Sequence, residues 1–276
     1  MAVEMQRPLG AAVLYFFCLV LQPLSSLAQG IGPDPFPGIR GEDQREMIDS
    51  WDAPWSSIGR INVAGFRSTS MCTGTLVAPD VVLTAAHCVF NRITTKPFPA
   101  NKIHFVAGVR RDKHLAHAVA RCVAMPEGYR FARKPMLAET LQDIAFIYLT
   151  KPLDVPVVQT VDLSETGGLE GSGPDFTSVG YYRDRPYLPS AHSGCEIVAE
   201  QEGVWLTNCN TNYGGSGGPA LIEVEGKARV AAVVIGATED KYSIAVPISS
   251  WPSLERENSC NSRAGLNALE DTAENQ

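Results

Sequence analysis

The sequence predicts an all-β protein: two antiparallel β-barrels of about six strands each, followed by a short C-terminal helix. Three observations carry this. Short runs rich in Val, Ile, Thr and aromatic residues recur between turn residues. The runs fall into two sets separated by 156–174, which includes Thr-Gly-Gly-Leu-Glu-Gly-Ser-Gly-Pro. Helical periodicity is absent until 248–255, near the end of the chain.

The first set comprises 58–64, 74–77, 81–84, 103–106, 118–123 and 144–149. The second comprises 176–179, 195–199, 204–207, 220–224, 229–235 and 243–246. Ahead of them, Arg7 precedes an apolar run at 9–21, and Ser26-Leu27-Ala28 supplies the small residues of a cleavage site. This pattern predicts a secretory signal peptide over 1–28. No later segment reaches the roughly 18 apolar residues of a membrane helix, so no membrane span is expected after cleavage. Residues 29–50 begin with a Pro- and Gly-rich stretch and form an N-terminal arm, propeptide-like in composition. The predicted organisation is therefore arm 29–50, first barrel 51–160, second barrel 161–250, and helix with polar tail 251–276.

Net charge is −7 and the pI is 5.3, with no basic stripe. That excludes nucleic acid as an expected partner. Cys18 leaves with the signal peptide, and Cys72, Cys88, Cys122, Cys195, Cys209 and Cys260 remain. An even set in an exported chain points to disulfides and to a secreted or periplasmic location.

Three stretches carry chemistry. Asn212-Tyr-Gly-Gly-Ser-Gly-Gly-Pro219 places Ser216 in a glycine-rich turn between two strand-like runs. Such a turn can expose the hydroxyl and aim the N–H groups of Gly214 and Ser216 at one small space, as stabilising an oxyanion requires. Thr84-Ala-Ala-His-Cys88 puts His87 at the end of a strand, and histidine titrates in the range a general base needs. Leu141-Gln-Asp-Ile-Ala-Phe-Ile-Tyr-Leu149 puts Asp143 directly before an apolar strand, where it can orient an imidazole. Taken singly, the serine also fits an ordinary glycine-rich turn and the aspartate a satisfied turn carboxylate.

Together these stretches resemble the chymotrypsin/trypsin-fold serine proteases: T-A-A-H-C, D-I-A and G-x-S-G-G-P in the order His, Asp, Ser, over about 58–251. The resemblance implies two six-stranded barrels with the site between them. It also implies a triad of His87 as base then acid, Asp143 as its orienter and Ser216 as nucleophile, with Gly214 and Ser216 N–H as oxyanion donors. Cys72–Cys88 matches a family disulfide. Cys195 and Cys209 flank a predicted hairpin and are paired here, which leaves Cys122 with Cys260.

Gly215 departs from the trypsin pattern. In trypsin-like zymogens, cleavage creates an N-terminal ammonium that pairs with an aspartate at this position; glycine cannot make that pair. No activation junction of the R/K-I-V-G-G kind precedes the first barrel, where the chain reads Arg60-Ile-Asn-Val-Ala-Gly65. The chain is more similar to the bacterial secreted branch that includes glutamyl endopeptidases. Gly41-Glu-Asp-Gln-Arg45 and Pro54-Trp-Ser-Ser-Ile-Gly59 resemble the start of the mature enzyme there.

By the same resemblance, the substrate pocket involves Asn210, six before the serine, together with Thr211, Val234 and Gly236. Asn210 stands where trypsin has aspartate, and Val234 where glutamyl endopeptidases have histidine. A substrate carboxylate would then be poorly compensated, so apolar or small uncharged side chains are expected. His114 and His117 read as a surface pair rather than metal ligands, and His104 and His192 as structural or solvated. Trp205 and Trp251 read as packing residues.

The expected function is a secreted serine endopeptidase acting on protein or peptide substrates as a monomer, with no metal or organic cofactor. The alternative is a non-catalytic homologue that serves as a protein-binding module.

Overall fold

Six of the predicted runs close on themselves. A computed structural model describes residues 36–63, 70–163 and 175–251. In it β2 (Ile58–Val63), β3 (Ser70–Ala78), β4 (Val81–Thr84), β5 (Ile103–Ala107), β6 (Ala116–Ala124) and β7 (Ala145–Leu149) form a closed barrel in the order β2-β3-β4-β7-β6-β5. Alternation explains the inward faces: Ile103, Phe105 and Ala107 of β5 are fully buried while the residues between them are half-buried. β7 is buried along its whole length, which accounts for its unbroken apolar run. Its register with β4 positions the chemistry. Thr84 pairs with Ala145, so the strand that leads to His87 and the strand that begins after Asp143 meet at one rim of the barrel.

The second set forms one antiparallel sheet of eight strands, where the sequence predicts a barrel of six. Its order is β1-β9-β8-β12-β13-β14-β11-β10. Five of the predicted second-set strands appear as β8 (Phe176–Tyr182), β11 (Val204–Thr207), β12 (Pro219–Val224), β13 (Lys227–Ala237) and β14 (Ser243–Pro247). The run predicted at 195–199 divides between the end of β9 (Arg185–Cys195) and β10 (Ile197–Gln201). Most of β9 escapes a pattern reading because Pro186 and Pro189 interrupt it and Ser, His and Gly fill its second half. The other addition is β1 (Glu46–Met47), where the N-terminal arm pairs with β9 through Glu46–Ala191 and Met47–Ser190. The arm is thus an edge strand at this point.

Both sheets belong to the same compact unit. Buried Arg110 donates to Ser50 O (3.0 Å) and to the Tyr181 hydroxyl (3.1 Å), and that hydroxyl donates to Val109 O (3.1 Å). This ties the arm, the barrel and β8 together. The first part of the predicted linker runs along both: Val158 N–H donates to Leu76 O (2.9 Å) and Val161 N–H to Val230 O (2.9 Å). One short helix, α1 (Leu137–Thr140), stands just before Asp143, and a 3-10 turn covers Ile248–Ser250. The predicted signal peptide, the rest of the linker, Cys18, Cys260 and the C-terminal helix with its tail lie outside the described residues.

Candidate active site

His87 sits on a 3-10 turn, Ala86–Val89, that begins as soon as β4 leaves the barrel. Asp143 lies three residues past α1, its N–H donating to Thr140 O (3.0 Å). Both carboxylate oxygens serve the histidine. Oδ1 accepts the His87 backbone N–H (2.8 Å) and Oδ2 faces His87 Nδ1 at 2.6 Å. Nδ1 is thus the ring nitrogen that the carboxylate orients, and Nε2 is the one turned away from it. The Asp143 side chain is 9% exposed, so this contact is made largely away from water. Tyr129 lies close by; burial, and then the charge of Asp143, raise its hydroxyl well above the ordinary range.

Ser216 comes from the opposite sheet, on the loop between β11 and β12. Its Oγ donates to Ile235 O (3.2 Å), and its carbonyl accepts the N–H of Thr73 from the barrel (2.8 Å). Ser216 and His87 line one cavity of about 260 Å³, with Gly214, Met71, Phe90 and Arg183 among the other walls.

The loop backbone is fixed peptide by peptide. Arg183 N–H donates to Tyr213 O (2.7 Å), which turns that carbonyl away and leaves the Gly214 N–H pointing the opposite way. Thr73 Oγ1 donates to Gly214 O (2.9 Å) and accepts from Tyr181 N–H (2.9 Å); Gly215 N–H donates to Asn212 O (3.0 Å). The N–H groups of Gly214 and Ser216 have no protein partner among the described residues. Gly214 has φ +94°, and a Cβ there would meet Tyr181 O at 2.5 Å and Met71 Cε at 2.7 Å, so only glycine fits. Gly215 has a different reason. A Cβ at 215 would run into the Tyr182 ring and lie 2.9 Å from Thr211 Oγ1. The ring fills the space that a side chain before the serine would need.

The residues read as pocket walls are spread around the base of this loop. Asn210 is buried, and its amide is committed to the arm: Oδ1 accepts Gln44 N–H (2.8 Å) and Nδ2 donates to Arg40 O (3.3 Å). Thr211 is buried, donates its N–H to Gly38 O (3.0 Å), and bonds the Tyr182 hydroxyl through its side chain. Val234 is buried and meets the loop through its backbone, accepting from Gly217 (2.7 Å) and donating to Gly218 (2.8 Å). Gly236 is half-buried on β13, with open space where a Cβ would stand.

Two expected disulfides are formed, Cys72–Cys88 with Cα atoms 6.0 Å apart and Cys195–Cys209 at 5.2 Å. The first fastens β3 to the His87 turn. Cys122 is disulfide-bonded as well, and its expected partner Cys260 lies outside the described residues. Two groups place a histidine beside two sulfurs, His87 with Cys72 and Cys88 and His192 with Cys195 and Cys209. In each group the sulfurs are bonded to one another, which removes the thiolates a metal would need. His192 is structural: its Nδ1 accepts Asn210 N–H (2.8 Å). His104 is structural too, paired with His117, Nδ1 to Nε2 at 2.9 Å with stacked rings. Trp205 is buried, and Trp251 donates its indole N–H to Leu141 O (2.8 Å).

Sequence reasoning missed Thr73, Arg183 and Tyr182. Each acts on the loop from a strand or turn distant in sequence, and no local motif marks it.

A family model described as a trypsin-like peptidase domain matches residues 72–231, from the first disulfide cysteine into β13. The chain belongs to the trypsin-like peptidase family. Among curated relatives, the cercarial protease of Schistosoma mansoni is 30% identical over 124 residues, 42% of this chain and 45% of that protein. The matched stretch therefore spans under half of that relative's length. Among solved structures, a Glu endopeptidase in complex with MPD superposes with a TM-score of 0.60 at 19% identity, covering 84% of this chain and 97% of that one. That likeness supports the trypsin-like peptidase fold seen in the two sheets.

Proposed function

We propose that the protein is a secreted or periplasmic serine endopeptidase that cleaves protein or peptide substrates through an acyl-enzyme, as a monomer and without a cofactor. The observation that carries this is the double hydrogen bond from His87 to Asp143 beside a serine whose loop leaves two N–H groups without a protein partner among the described residues. The finer organisation proposed with it is an arm at 29–50, barrels at 51–160 and 161–250, and a C-terminal helix and tail.

In this mechanism Ser216 Oγ turns from Ile235 O toward His87 Nε2 and gives up its proton as it attacks the substrate carbonyl. Asp143 holds the imidazole in the required tautomer and stabilises the imidazolium. The developing oxyanion takes the hydrogen bonds of Gly214 and Ser216 N–H, which are already oriented and cost no rearrangement. His87 then delivers the proton to the leaving amine. Water, activated by the same imidazole, hydrolyses the ester at Ser216.

The trypsin-type N-terminal salt bridge has no place here, because Gly215 has no side chain and Tyr182 occupies the space. The Asn210 amide is spent on the arm and is not free to meet a charged side chain. An apolar or small uncharged residue before the scissile bond, beside Thr211, Val234 and Gly236, is the proposed preference.

Cleavage of a mixed peptide library tests this reading. Bonds should be cut by the wild type and not by Ser216→Ala, with apolar or small residues before the cut. A folded wild type that cuts nothing favours the second reading, a binding module. That reading draws its support from the Ser216 hydrogen bond to Ile235 rather than to His87.

A further inference from the structure

Arg45 lies on the arm just before β1, yet its side chain is 0% exposed. Its Nη2 is 2.9 Å from both Asp43 Oδ2 and Asp184 Oδ2, and its Nε donates to Asp43 Oδ1 (2.9 Å). Arg185 joins from the other side, 2.6 Å from Asp43 Oδ2, so two cations and two anions balance. Burial alone would raise the Asp184 carboxyl; the hydrogen bond and charge of Arg45 outweigh it and hold the carboxyl below its ordinary value. A charge this buried persists only where it is paired.

Two routes lead from this guanidinium to the catalytic loop. It lies over the Tyr182 ring, 4.3 Å from the centroid, and that ring packs against the Gly215 backbone. Its partner Asp184 accepts from Asn212 Nδ2 (3.0 Å), and Asn212 accepts Tyr213 N–H at Oδ1 (2.8 Å) and Gly215 N–H at its carbonyl (3.0 Å). Asp184 also follows Arg183, whose N–H orients the peptide that carries the Gly214 N–H. The first route ends on Gly215, the residue before Ser216, and the second on the two peptides that flank the one carrying the Gly214 N–H.

We propose that Arg45 is a positioning residue for the oxyanion loop. An internal, uncleaved guanidinium on the arm supplies the buried cation that a freshly cut N-terminus would otherwise supply, and no cleavage beside residue 45 is needed to set the loop. The catalytic part of this inference rests on the serine-protease reading; the structural part does not.

The test uses the full-length protein as wild type, Arg45→Met, Arg45→Lys and Asp184→Asn. Amide hydrogen exchange is read over 212–217 and over β4 and β7, alongside the labelling rate of Ser216 by a fluorophosphonate. Arg45→Met should speed exchange over 212–217 by about tenfold or more and leave β4 and β7 unchanged. Its labelling should slow by about 10- to 100-fold, short of the ~10²–10³ that follows loss of a whole oxyanion donor. The pH at which labelling reaches half its maximum should not move, because His87 and Asp143 are untouched, and Arg45→Lys should recover part of the rate. Asp184→Asn keeps the arginine and Asp43, and reports the same loop-confined change if Arg45→Met does not fold. Exchange over 212–217 equal to wild type in a folded variant overturns the proposal, as does an equal rise in every strand. A wild type that is folded but unlabelled refutes the protease reading instead, and the exchange comparison still decides the role of Arg45.

Discussion

Replacing Gly215 by alanine adds one methyl group and tests why the residue before the serine is glycine. The methyl would enter the space of the Tyr182 ring and come within 2.9 Å of Thr211 Oγ1. The ring has nowhere to go: Tyr182 is buried, its hydroxyl bonds Ser178 and Thr211, and Arg45 covers its face. Overpacking of a well-filled core costs about 1–3 kcal/mol, and a ring held on three sides places this site toward the upper end. For a chain of this size each kcal/mol lowers the melting temperature by roughly 2–4 °C, so a fall of about 5–10 °C is expected. Because residue 215 lies between the two proposed oxyanion donors, fluorophosphonate labelling should slow as well. Thermal unfolding at one fixed scan rate, with labelling kinetics on the same preparations, reads both effects. The double variant Gly215→Ala/Tyr182→Leu makes room beside the methyl and should show coupling of about 1 kcal/mol or more against the single changes. A Gly215→Ala protein that melts and labels like wild type would refute the reasoning.

Thr73→Val keeps the shape but removes the donor to Gly214 O and the acceptor of Tyr181 N–H. The stranded groups should cost about 1–3 kcal/mol each in denaturant unfolding, and labelling should slow in parallel. Asp143→Asn leaves the His87 turn in place but favours the wrong tautomer, so kcat on a peptide ester should fall by about 10⁴. The pH dependence of stability follows from Asp43, held low by its hydrogen bond to Arg45, and Asp184, held low by Arg45 against its burial. Carboxyls depressed in the folded state add stability above their unfolded value near 3.9 that is lost as pH falls through the folded value. Denaturant midpoints should therefore drop below about pH 4, and less so in Asp184→Asn.

The first barrel was legible where its strands alternate, as β5 does, or are uniformly apolar, as β7 is; of β3 only 74–77 was read, because Ser, Thr and Gly fill much of the rest. The second sheet was legible only in part. β9 carries two prolines and polar residues, and its pairing with β8 and β1 comes from tertiary context that no periodicity encodes. The residues of the candidate triad could be picked out because each sits in a short local motif, and the Thr84–Ala145 register explains why two of them meet. What holds the serine loop was not legible. Thr73 reaches Gly214 across 141 residues and Arg45 reaches Asp184 across 139, and an arginine in a polar arm gives no sign that it is buried. Asn210 shows the converse. Its position suggested a pocket residue, yet the backbone of the arm takes both ends of its amide.

The central claim is that Ser216 is a nucleophile activated by His87. Mass spectrometry of the protein after fluorophosphonate treatment tests it most directly. The account predicts a single adduct on Ser216 in the wild type and none in His87→Ala. A wild type with native circular dichroism and no adduct on Ser216 would contradict it.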